Sequence, residues 1–279
     1  IDRVDEAIAA QKQAAIEINQ PFQLHIAAVF QTMRAILRGE FEVAERLAYK
    51  AADISQQIGL AAMDGIFGIH MFTIRREQGR VNEIAPILEL YVANSPASAS
   101  WRPGLALIYR TLNLKDKSQV IFEELMSEIV TYLPQDSLRV ATLAYLSEVC
   151  TYLEDSGRAA TLYEMLLPYD SRTVVVGGAT ACYGAVARFL GMLAATMSDW
   201  PAAERHFNSA LELDRRMGAR PWLAHGQCEY AAMLLRCDHG DDRRRALALL
   251  DEASTSAQEM GMAYLLQKIS VLQAQYDLA

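Results

Sequence analysis

Apolar residues return along this chain at helical spacing, again and again, between short polar breaks. Positions 24, 27, 28, 33, 36 and 37 mark one buried face before Gly39, and positions 44, 47, 48 and 51 mark another before Gly59. The same alternation predicts a helix over Asp2–Asn19, then helical pairs over Phe22–Arg38 with Phe41–Ile58, Ala61–Gln78 with Val81–Ala93, and Pro103–Leu114 with Ser118–Leu133. It continues over Leu138–Leu153 with Arg158–Leu167, Gly184–Met197 with Pro201–Met217, and Trp222–Cys237 with Arg243–Met260, and ends on Met262–Leu278. Stretches 94–100, 134–137 and 168–172, rich in Pro, Ser, Asp and Asn, read as breaks between pairs. Val174-Val175-Val176 is a short β-branched run, which we read as the approach to the Gly184 helix rather than as a strand.

The sharpest pair lies between Gly184 and Leu211. Val186, Phe189, Leu190, Leu193 and Met197 line one face, and Ala203, Phe207, Ala210 and Leu211 answer them. Asp199 is placed to cap the second helix, and Pro201 falls in its first turn, where no N–H is needed. Gly191 and Ala203 are the narrow positions at which two helix backbones can approach, with Phe207 filling the next gap. Leu190-Gly191, Ala203, Phe207 and Ala210 stand in the order that resembles a tetratricopeptide repeat. The residue opening each second-helix frame falls at 44, 84, 118, 159, 203 and 246, so the intervals are 40, 34, 41, 44 and 43. Against the usual period of about 34 residues, this is a loose version of the repeat.

The expected fold is therefore all-α: a right-handed α-solenoid of about six antiparallel helix pairs, a tetratricopeptide-like superhelix, forming one domain over 1–279. Residues 1–20 read as a half repeat and 262–279 as a terminal helix. The chain opens on Ile1 with no charged-then-apolar leader, as a piece of a longer protein would.

Composition changes this picture little. Apolar residues make up 52 % of the 279, enough for a large core, and the net charge is −8, which argues against a general nucleic-acid surface. Cys150, Cys182, Cys228 and Cys237 form no C-x-x-C pair and sit inside helical patterns, as buried thiols in a reducing cytoplasm would. The apolar run 173–197 is not read as a membrane span, because Arg188 sits mid-segment and four glycines interrupt it.

No phosphate-binding, nucleophile-elbow or H-E-x-x-H motif is present, so no catalytic, cofactor or metal residue is assigned. Cys228 and Cys237 with His225 or His239 form the one local cluster of metal-ligating types, and it reads as helix packing plus a solvated loop. Arg243-Arg244-Arg245, preceded by Asp241-Asp242, reads as a solvated helix start. Chemistry is expected instead on the inner face, which the first helix of each pair lines. Counted from the repeat frame, Arg110, Glu148, Tyr152, Arg188, Met192, Glu229 and Met233 point inward and can hold a peptide or an anionic small molecule. On this reading Arg188 lies in an open groove, and its loss is expected to leave folding intact.

Several longer strings carry a second resemblance: 168–175 (PYDSRTVV), Phe189-Leu190-Gly191, 218–224 (GARPWLA), Gly240-Asp241 before the arginines, and, upstream, Gly79-Arg80 and Trp101-Arg102-Pro103. They resemble the C-terminal tetratricopeptide-like repeat region of large bacterial signalling ATPases, in which an adenylate/guanylate cyclase or a LuxR-type DNA-binding domain sits at one end. The resemblance implies a non-catalytic interaction or effector-sensing array of a signal-transduction or transcriptional regulator. Its partners would be another protein or the neighbouring ATPase or output domain, with a small effector as a further ligand and no direct nucleic-acid or membrane contact. The alternatives are an all-α small-molecule enzyme domain and part of a DNA-contacting regulator.

Overall fold

The computed structural model describes residues 2–59, 64–94, 100–131 and 136–277. Among them the chain is helical almost throughout. α1 (Asp2–Glu17) is followed by α2 (Pro21–Arg38) and α3 (Phe41–Gln57), then α4 (Asp64–Glu77), α5 (Ala85–Asn94), α6 (Arg102–Thr111) and α7 (Lys115–Thr131). α8 (Arg139–Leu153) and α9 (Ser156–Leu166) lead into β1 (Thr173–Val176) and β2 (Ala181–Ala185). The chain finishes on α10 (Val186–Thr196), α11 (Trp200–Met217), α12 (Arg220–Cys237), α13 (Asp242–Met260) and α14 (Ala263–Gln275). Consecutive helices pack as hairpins: α2 on α3, α6 on α7, α8 on α9, α10 on α11, α12 on α13. First helices also stack on first helices, α6 on α8, α8 on α10 and α10 on α12. The expected break over 95–99, the start of the Ala61 helix, residues 134–135 and the last residues of the terminal helix lie outside the described residues.

Local chemistry sets the ends. The Asp199 carboxylate accepts the Ala202 N–H at 3.2 Å with Pro201 in the first turn, and Asp155 caps α9 in the same way through Arg158 N at 2.9 Å. Inside the α10–α11 hairpin, a Cβ built on Gly191 would stand 3.0 Å from the Phe207 ring, so any side chain there pushes the ring from its seat. The pair α4–α5 departs from the expected single second helix: a 3₁₀ turn spans Val81–Glu83, and α5 begins only at Ala85. Pro86, which lacks an N–H, fits the first turn of α5 and would break a helix running through it.

Two features were not expected. The first is a correction: 173–185 is a β-hairpin, with Thr173 opposite Ala185 and Val176 opposite Ala181. The β-branched run favours extended backbone, and Gly177 (φ +56°) and Ala179 (φ +66°) turn it sharply. The helix starts at Val186 rather than Gly184, whose φ of +77° no helix interior accommodates. All five residues of β2 are buried, wedged among α2, α10, α11 and α12. His70 Nε2 donates to the Thr180 carbonyl at 2.9 Å, and Thr73 and Tyr183 share a hydroxyl hydrogen bond of 2.7 Å.

The second feature is closure. α2 packs against α12 and α4 against α14, so the first pairs meet the last. Gly39, at the left-handed end of α2, is pressed against Met260, and a Cβ on Gly79 would stand 3.2 Å from Ala263. The inner face is thus largely an interior. Among the described residues the main apolar core runs continuously from Met33 to Ile269, with two small clusters beside it, around Val29 and around Ala187.

Replacing Gly191 with Leu is expected to lower stability by about 1–3 kcal/mol or more, since the added side chain must displace the Phe207 ring from its seat. An unchanged melting temperature would show that the α10–α11 contact is not as tight as described.

Candidate functional site

The first helices of the stack carry charges on faces that become interior once the ends meet. Arg76, on α4, directs Nη1 to Glu148 Oε1 on α8 at 3.3 Å, with a second bond between Nη2 and Oε2. Arg188, on α10, reaches Glu229 on α12 through Nη1 at 3.0 and 3.1 Å, and its Nη2 lies 3.7 Å from Glu148. His225 Nε2 meets Glu77 Oε2 at 2.8 Å, joining positions 148 residues apart. Lys268, on α14, donates to Glu229 at 3.4 Å. The result is a continuous chain of ion pairs through α4, α8, α10, α12 and α14.

Burial opposes ionisation of each of these carboxylates, and their partners overcome it; burial also lowers the His225 pKa, so His225 serves Glu77 as a hydrogen-bond donor rather than as a permanent cation. Glu148 is held far below the ordinary carboxylate range by Arg76, Arg110 and Arg188. Glu229 is lowered by Arg188 and Lys268, and Glu77 by His225 and Arg76. Beyond Arg188, Asp214 differs. Its Oδ1 accepts the Ala185 N–H at 2.9 Å, but burial outweighs that bond and Arg188, and pushes its pKa up to about 7.

Above this chain of charges lies a cavity of about 480 Å³ that opens to solvent. Arg110, Tyr152, Met192, Glu229 and Met233 line it, together with Phe207, Tyr264, Lys268, Val271 and Leu272. All seven residues expected on the inner face therefore converge on one place. Five form the cavity wall. Glu148 and Arg188 do not: they lie beneath it, 2 % and 1 % exposed, locked in ion pairs. The expectation that Arg188 faces an open groove is corrected, and the reason is the closure of α4 onto α14, which the repeat frame does not encode. Arg188 also lies over the Phe189 ring at 4.2 Å and near Trp222 at 5.8 Å.

Arg110 stands apart from the other cations. None of its hydrogen bonds or ion pairs reaches a carboxylate among the described residues, and its Nε is buried without a partner. Its neighbours are the rings of Tyr152 at 5.9 Å and Tyr264 at 5.8 Å. Burial, reinforced by the Arg76 charge, lowers its pKa despite Glu148 and Glu229. Tyr152 is itself fixed by a 2.6 Å bond from its hydroxyl to Asn113.

Sequence reasoning missed Arg76, Glu77, Tyr264 and Lys268, and weighed His225 only as a metal-ligating type. The inner face was counted only through the third to sixth pairs and not carried into α4 or α14. A signal existed: Arg75-Arg76-Glu77 closes an otherwise apolar helix, and charge on such a face asks for partners.

The cysteine cluster divides. His225 and Cys228 belong to the cavity region, where burial pushes the Cys228 thiol up to about 11. Cys237 Sγ and His239 Nδ1 lie 3.1 Å apart in the α12–α13 loop, near Asp242. Asp242 is already engaged by Arg245 at 3.1 Å and by the His239 N–H at 3.2 Å, as the start of α13 requires. All four cysteines are free thiols. Among the described residues no helix is long and apolar enough to cross a membrane.

Arg188→Ala leaves Glu229 buried beside a gap, and is expected to cost about 3–5 kcal/mol, read as a lowered denaturation midpoint. Retained stability would show that the ion-pair chain is slack. The pH profile has two limbs. Glu77, Glu148 and Glu229 have depressed folded values, so their contribution is full above the unfolded carboxylate range and lost as pH falls through those values. Asp214 has a raised value, so stability declines as pH rises from its unfolded value near 3.8 through about 7. His70, lowered to about 4, and His225, also lowered, act with the opposite sign over the same range, so the difference between proteins is the test: Asp214→Asn is expected to lose less stability than the native chain as pH rises from about 4 to about 7. A profile identical in the variant would mean Asp214 ionises freely. The sequence matches no protein-family model and none of the curated proteins compared with it, so the resemblance described above rests on its own residues.

Proposed function

We propose that this chain is the non-catalytic effector-sensing and interaction array of a multidomain signalling or transcriptional regulator. On this reading its six helix pairs wind as a right-handed, tetratricopeptide-like superhelix in the cytoplasm. The partner is another protein or the ATPase or output domain of the same polypeptide, and a small effector occupies the central cavity. No residue is assigned a catalytic role.

The observation that carries the reading is the cavity's position. It is walled by α6, α8, α10, α12 and α14, and two of its lining residues, Glu229 and Lys268, belong to the ion pairs that run through five helices. A molecule held there touches α6, α8, α10, α12 and α14 together. Any difference in its affinity for two spacings of those helices shifts the balance between them, and with it the placement of whatever is attached at either end. A cavity of about 480 Å³ falls in the range of small-molecule sites. Glu229 and Lys268 on its wall pair with each other, and no group of charged side chains converges there on a reacting atom, which favours a sensor over an enzyme.

A thermal-shift screen of the chain against a broad set of metabolites tests this. At least one compound is expected to raise the melting temperature of the native chain and not that of Met233→Trp, which narrows the cavity. A screen in which no compound discriminates between the two proteins would overturn the reading.

A further inference from the structure

Resting on the sensing reading above, we propose that the cavity's ligand is an organic monocarboxylate with an apolar body, its carboxylate held by Arg110.

The argument starts from charge. Four cationic heads, Arg76, Arg110, Arg188 and Lys268, face three ionised carboxylates, Glu77, Glu148 and Glu229. Glu148 and Glu229 are already shared among Arg76, Arg188 and Lys268, and Glu77 is taken by His225. Asp214 is buried, does not line the cavity, and has its pKa raised to about 7. One buried positive charge is left over, and the geometry says which: Arg110, whose neighbours are tyrosine rings; Arg236, the remaining cation on the wall, is exposed to solvent and lies over Trp200. A ring face attracts the guanidinium but cannot accept the in-plane N–H bonds along its edge. Those donors call for a planar anion, and a carboxylate matches the fork in two parallel bonds.

The size of the charge is also constrained. A single negative charge balances Arg110. A dianionic phosphate monoester would bring its second charge beside Glu229, which is ionised and lines the same wall. The rest of the wall fixes the body of the ligand. Met192, Met233 and Leu272 add apolar surface to the same wall, and methionines adapt to irregular shapes. A medium-chain acyl or arylalkyl acid fits both halves.

Calorimetry on the intact chain with octanoate, octanamide and octyl phosphate tests this, with Arg110→Gln as the variant. Because Arg110 has no ion pair to lose, its replacement is expected to leave the melting temperature near that of the native chain. Octanoate is expected to bind, with octanamide weaker by about 10- to 100-fold and Arg110→Gln reducing octanoate affinity by a similar factor, as loss of a charged hydrogen bond predicts. Arg110→Lys, which keeps the charge but not the fork, is expected to fall between. Octanamide binding as tightly as octanoate, octyl phosphate binding more tightly, or an Arg110→Gln chain that folds and binds octanoate unchanged would each overturn the inference. So would absence of octanoate binding at millimolar concentration. The sensing reading survives any of these results if a neutral or cationic metabolite still discriminates between the native chain and Met233→Trp, so the two failures are distinguishable.

Discussion

The contact on which the rest depends is Glu148 held between Arg76 and Arg188. A carboxylate 2 % exposed in a helix interior is costly, several kcal/mol before its partners are counted, and a single cation in poor geometry would not offset it. Here two guanidiniums from different helices share it, and one of them passes the link on to Glu229 and so to Lys268. Such a chain contributes less to net stability than apolar residues of the same volume would. What it does impose is register. An apolar helix face can slide along another by a turn at modest cost; a face carrying Arg76 cannot, because sliding would leave two buried charges unpaired. The apolar core supplies the driving force for closing the array, and the ion pairs restrict how it closes.

The β-hairpin and the corner glycines serve the same closure from outside the network. β2 lies between α2 and α12, so helices nearly two hundred positions apart meet through it. Gly184 shows how little room is left. A side chain there would strike Trp222 at 2.6 Å and Asp214 at 2.9 Å, and the backbone is left-handed as well. Trp222 is 1 % exposed and packs its ring 5.1 Å from Tyr183, so the hairpin and α12 share one aromatic cluster. Asp214 is the electrostatic consequence of this crowding. It caps the β2 backbone at Ala185 but lies too deep to ionise cheaply, and its pKa near 7 follows.

The helical frame was legible because it is local. Periodicity of apolar residues, left-handed glycines at helix ends and prolines in first turns are properties of neighbouring positions, and Gly39, Gly218 and Pro201 stand where the sequence placed them. The candidate residues were legible for a related reason: once the frame is known, the inward direction follows by counting, and Arg110, Tyr152 and Met233 indeed share a wall. The hairpin was obscured by competition between two readings of one apolar stretch. Val174-Val175-Val176 and Gly177-Gly178 carried the strand-and-turn signal, but the strong helix beginning at Val186 extended its pattern backward over them. Closure was not legible at all. No local feature of Gly79 or Arg76 announces Ala263 or Glu148, since the pairing spans much of the chain, and without it the inner face reads as an open groove rather than a lined cavity.

Closure also explains why the cavity sits where it does. Each first helix contributes charge at its inner face, and where two such faces are brought together the charges pair off; where the faces diverge toward solvent they do not. Arg110 lies at that point of divergence. α6 stacks on α8, yet Glu148 is drawn toward Arg76 and Arg188 and leaves Arg110 facing outward into the cavity with Tyr152 and Tyr264 beside it. Tyr264 also lies 5.3 Å from Arg76, so the ring that borders the cavity touches the ion-pair chain as well. Anything that neutralises Arg110 relieves the repulsion between Arg110 and Arg76. Arg76 sits on α4 against the Tyr264 ring of α14, so the charge at Arg110 is felt by a side chain of the seam that joins the two ends of the array.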